Sequence, residues 1–69
     1  MKKQATKKAQ LLHSAIKTAH AKFEEMMLLG VGSADRTTQQ FCITVDTNLY
    51  TAELAARQLA EYLARIQDT

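Results

Sequence analysis

Residues 42–66 read CITVDTNLYTAELAARQLAEYLARI, and this stretch decides the fold. Cys42, Leu49, Ala56 and Leu63 recur every seven residues, and Val45, Ala52, Leu59 and Ile66 form a second line beside them. Together the lines make one apolar seam along an α-helix, the pattern by which helices specify helical partners. Glu53, Arg57, Glu61 and Arg65 stand four residues apart, so each acid meets a base one turn away. Such pairs add only ~0.2–0.5 kcal/mol each, and they mark the solvated outer face.

Upstream of Leu49 the reading meets a competitor. Phe41, Ile43 and Val45 alternate, and Ile43-Thr44-Val45 is β-branched, which suits a strand over residues 40–45. A lone strand would find no partner within the chain. The heptad, by contrast, passes through Cys42 and Val45 with no Gly or Pro before Leu49. The sequence therefore predicts one helix over about residues 34–67.

The first half carries a matching seam. Ala5, Ala9, Leu12, Ile16, Ala19, Phe23 and Met26 recur at alternating four- and three-residue steps, predicting a helix over about residues 3–29. Gly30-Val31-Gly32-Ser33 is the only punctuation. Gly30 suits the left-handed conformation that ends a helix, and Ser33 or Asp35 can cap the next one. So short a turn, residues 30–33, makes the helices antiparallel neighbours. The chain reads as a single all-α domain over residues 1–69, an antiparallel helical hairpin.

Sixty-nine residues bury little surface, and one cysteine closes no internal disulfide. Oligomerisation is the expected source of stability, most simply a homodimer forming a four-helix bundle. Its seam would comprise Leu12, Ile16, Ala19, Phe23 and Met26 with Val45, Leu49, Ala52, Ala56, Leu59, Leu63 and Ile66. Alanines at positions 9, 19, 52 and 56 would let helices approach closely. In length and layout this is similar to the small Rop-type RNA-binding hairpin dimers of plasmids. The resemblance rests on architecture, with no shared motif, and implies a dimeric hairpin; RNA binding does not follow from architecture alone.

The lone cysteine and the lack of a signal-peptide h-region point to a reducing cytoplasm. No apolar run approaches a membrane span. Neither a metal nor an organic cofactor is expected, since no ligand spacing or phosphate loop appears. A Ser/His/Asp order and paired isolated carboxylates are missing too, so the sequence argues against an enzyme.

Charge is unevenly placed. Residues 1–22 hold six lysines and no acid, whereas residues 23–69 hold three arginines against seven acids. Lys2, Lys3, Lys7 and Lys8 cluster at a helix start, against the macrodipole. Lys17 continues the basic character, and Gln10, His13, Lys17 and His20 form one stripe. These lysines and histidines are the candidate contacts for phosphates or an acidic protein. A frayed, solubilising terminus explains them more simply. His13 and His20 lie two turns, about 10 Å, apart, so one ion cannot bind both within a helix; they read as boundary residues. Cys42 reads as a small buried hydrophobe.

One region holds more apolar surface than a hairpin uses. Met26, Met27, Leu28 and Leu29 cover every side of the last turn of the first helix. Met27, Leu28, Leu29, Val31, Phe41 and Ile43 form the candidate partner surface, of the adaptable kind that suits proteins. The expected function is a small non-enzymatic interaction protein: a regulator, inhibitor or adaptor acting as a homo-oligomer. A nucleic-acid-binding dimer and a structural assembly subunit are the alternatives.

Overall fold

The computed structural model describes residues 2–67 as a two-helix hairpin, with no strand among them. Helix α1 spans Lys2–Met27 and helix α2 spans Arg36–Gln67. A helix of 32 residues is about 48 Å long, and the whole molecule measures 52 × 16 × 13 Å. The two helices therefore lie side by side along nearly their full length.

The connection is built by hydrogen bonds that tighten as α1 ends. Leu29 N–H donates to Met26 C=O at 3.0 Å and Gly30 N–H to Met27 C=O at 3.0 Å, both closing three-residue steps. Gly30 then takes φ 81°, ψ 15°, the left-handed conformation that stops a helix at little cost only for glycine. Val31–Ser33 makes a single 3₁₀ turn, and the Ser33 hydroxyl donates to Gly30 C=O at 3.0 Å.

Asp35 opens α2. Its Oδ1 accepts the Thr38 backbone N–H at 2.7 Å, and its Oδ2 accepts the Thr38 hydroxyl at 2.9 Å. This satisfies one of the unpaired donors at a helix start. The amide and hydroxyl of Thr38, with the Thr37 amide, hold the Asp35 carboxyl below its usual value, against a small opposing effect of desolvation. Of the two caps offered by the sequence, Asp35 caps α2, while Ser33 bonds back into the turn.

Residues 40–45 lie inside α2. The strand alternative loses because it would separate Cys42 from Leu49, whereas one helix sets both on the side facing α1. Thr44 fits by donating its hydroxyl to Gln40 C=O at 3.0 Å.

The core is thin and small. Among the described residues Thr6, Ala9, Cys42, Ala56 and Ala60 are buried, and no large side chain is fully buried. Around them Ile16, Phe23, Leu49 and Leu63 are half-buried. The line Cys42, Leu49, Ala56, Leu63 faces α1. Small side chains there let the helix axes come near one another.

Candidate interaction surfaces

In α1 the residues turned toward α2 are Thr6, Ala9, His13, Ile16, His20, Phe23 and Met27, at alternating three- and four-residue steps. Ala9, Ile16 and Phe23 belong to the apolar seam read from the sequence. The flank that accompanies them into the hairpin is the more polar one, carrying Thr6, His13 and His20. The opposite flank, Ala5, Leu12, Ala19 and Met26, stays exposed.

The same division holds in α2. Ala60 is buried and Glu53 half-buried on one side of the Cys42–Leu49–Ala56–Leu63 line. On the other side Val45 and Leu59 are exposed, with Ala52 and Ile66 half-buried. The hairpin thus has two unlike faces. The proposed oligomer seam divides: Ile16, Phe23, Leu49, Ala56 and Leu63 serve within the chain, while Leu12, Ala19, Met26, Val45 and Leu59 remain open to solvent.

Each face has a groove near the loop end. The more apolar groove, of about 570 Å³, is lined by Ala19, Phe23, Met26, Val31, Phe41, Cys42, Val45 and Leu49, with Lys22 and Thr38 as its polar members. The opposite, more polar groove, of about 540 Å³, is lined by His20, Glu24, Gln39 and Asp46 together with Phe23, Met27, Gly32, Cys42 and Ile43. Across this polar groove His20 Nε2 meets Asp46 Oδ1 at 3.3 Å, joining the two helices.

The six candidate partner residues are not gathered into one patch. Val31 and Phe41 border the apolar groove, whereas Met27 and Ile43 border the polar one. Met27 is half-buried and lies against Gly32, where an added Cβ would sit 2.7 Å from its Cε. Leu28 and Leu29 project from the tip, 86% and 81% exposed.

The basic stripe is divided too. Lys3, Lys7, Lys8 and Lys17 are exposed, while His13 and His20 turn toward α2. The Lys2 side chain lies outside the described residues. Among the described residues His20 meets Asp46, and Lys22 pairs with Glu25 at 3.9 Å on an exposed surface.

His20 stands 22 residues before Cys42 in the sequence, yet folding places Cys42, His20 and Asp46 around one groove. Only the pairing of the helices creates that proximity, since His20 and Asp46 are 26 residues apart. Cys42 is buried beneath the groove. Among the described residues no group of three or more metal-ligating side chains gathers. No helix among them is long and apolar enough to cross a membrane.

Comparison with protein-family models, curated proteins and solved structures finds no match to this chain.

Proposed function

We propose that this chain is a small, non-enzymatic protein-interaction module, a homo-oligomeric regulator, inhibitor or adaptor that acts through apolar helix surfaces. The observation that carries the reading is the exposure of large apolar side chains around the loop end: Leu28 86%, Leu29 81% and Phe41 69%. Single exposed leucines are ordinary, but adjacent ones beside an apolar groove form a surface of the kind that proteins recognise. Aromatic anchors such as Phe41 commonly dominate such contacts.

The test is capture from a native lysate with the purified chain, compared with a Leu28→Ser/Leu29→Ser variant and with Phe41→Ser. A specific protein partner lost in these variants is expected. The reading is dropped if no protein is captured, or if both variants keep full binding and full biological effect.

A second reading is a nucleic-acid-binding dimer. Lys3, Lys7, Lys8 and Lys17 are exposed along α1, which favours phosphate contact. Titration of RNA and DNA across salt concentration decides it. Binding absent at low salt, or unchanged on replacing Lys7, Lys8 and Lys17 with alanine, eliminates it.

A further inference from the structure

We infer that the apolar face bearing Leu12, Ala19, Met26, Val45 and Leu59 is covered by a second copy of this chain, in a twofold dimer. The inference rests on the homo-oligomeric reading above and names the face and its occupant.

Three observations lead to a second copy. The first is area. A compact protein of 7.7 kDa exposes about 4,300 Å², whereas this hairpin exposes 5483 Å². The excess is roughly 1,200 Å², and the broad face of a 52 × 16 Å body offers about 800 Å², the share each partner contributes to a standard stable interface. One dimer interface therefore accounts for most of the excess.

The second observation is the core. Its buried residues are Thr6, three alanines and Cys42, so the hairpin has little interior of its own. Cover that stabilises the fold must be present whenever the chain is folded. A second copy meets that requirement; an occasional partner does not.

The third is the pattern on the face. Leu12, Ala19 and Met26 keep seven-residue spacing, as do Val45, Ala52 and Leu59, so the surface is shaped for helices. The α1 line, extended back to Ala5, alternates small and large. Laid against its own reversed copy, it sets Leu12 opposite the second copy's Ala19 and Met26 opposite the second copy's Ala5. Self-complementarity of this kind is what a twofold interface requires.

The opposite face argues against the same role. It carries the exposed Glu24 and Gln39 beside the His20–Asp46 contact, and burying a carboxylate and an amide there without partners is costly.

The experiment uses the purified full chain with no other partner. Native mass spectrometry and sedimentation measure size, and isotope-filtered NMR on a mixture of labelled and unlabelled chains reads contacts between copies. A species of twice 7.7 kDa is expected, with intermolecular contacts from the methyl groups of Leu12, Val45 and Leu59. Leu12→Lys or Val45→Lys should weaken association about tenfold or more. Ile43→Lys, a matched change on the opposite face, should leave it unaltered.

A monomer overturns the inference, as do intermolecular contacts confined to Leu28, Leu29 or Ile43. Equal association of the Leu12→Lys and Val45→Lys variants with the parent overturns it as well. If either variant unfolds, the NMR contacts in the parent chain decide. Failure here concerns the chain alone, whereas failure of the partner reading appears only in the capture experiment.

Discussion

His20 Nε2 lies 3.3 Å from Asp46 Oδ1, a polar contact that ties the last third of α1 to α2 across 26 residues of sequence. His20 is largely shielded and Asp46 is 58% exposed, so water competes for the carboxylate throughout. Such a pair sets alignment more than it sets stability. A cycle of His20→Ala, Asp46→Ala and the double variant should return a coupling of only about 0.2–1 kcal/mol. Chemical denaturation of the four proteins measures it, and a coupling well above that range would show a stronger linkage.

Thr6 should be improvable. Its hydroxyl is buried against α2 and has no hydrogen-bond partner among the described residues. A buried donor without a partner costs about 1–3 kcal/mol, and alanine is the better helix former. Thr6→Ala is expected to raise the thermal midpoint, by about 4–8 °C for each kcal/mol in a domain of this size. A fall in the midpoint would mean that the hydroxyl is satisfied in solution.

Asp35 gives the hairpin an acid-sensitive start to α2. Its carboxylate accepts from Thr38 N–H and Oγ1, so its folded-state pKa is lowered. The sign follows: the stabilisation is fully present above the ordinary aspartate pKa and is lost as pH falls through the lowered one. The Thr38 amide resonance should titrate with a midpoint below the ordinary aspartate value. In Asp35→Ala that inflection should vanish and the first turn of α2 should exchange its amide protons faster.

The two glycines of the loop should respond differently to alanine. At Gly30 an added Cβ meets nothing within 4 Å, so the penalty is purely that of φ 81°, about 1–2 kcal/mol. At Gly32 the added Cβ meets the flexible end of Met27. Gly32→Ala should therefore displace Met27, visible as a shifted methyl resonance, with a smaller loss of stability than Gly30→Ala. Denaturation curves of both variants check the order.

Helix type and the place of the turn were legible because they depend on local chemistry. The heptad through Cys42, Leu49, Ala56 and Leu63 reports one side of one helix, and Gly30 reports a backbone conformation that other residues resist. The end of α1 at Met27 was less so. Leu28 and Leu29 continue the composition of a helix, and the three-residue hydrogen bonds that close it depend on the turn beyond. The strand-like Ile43-Thr44-Val45 segment was settled by what lay opposite it: a helix to pack on, and no strand.

By itself, then, the sequence determined two long helices, one glycine turn and which lines of each helix are apolar. Only the tertiary structure decided which of those lines the chain consumes. The apolar stripe of α1 spans Leu12 and Ala19 as well as Ile16 and Phe23, wider than one neighbouring helix can cover. Folding turned the Thr6–His13–His20 side inward beside Ile16 and Phe23, and left Leu12, Ala19 and Met26 outside. Periodicity records which side of a helix avoids water. It does not record which body covers that side, because burial by the second helix and burial by another copy reward the same residues.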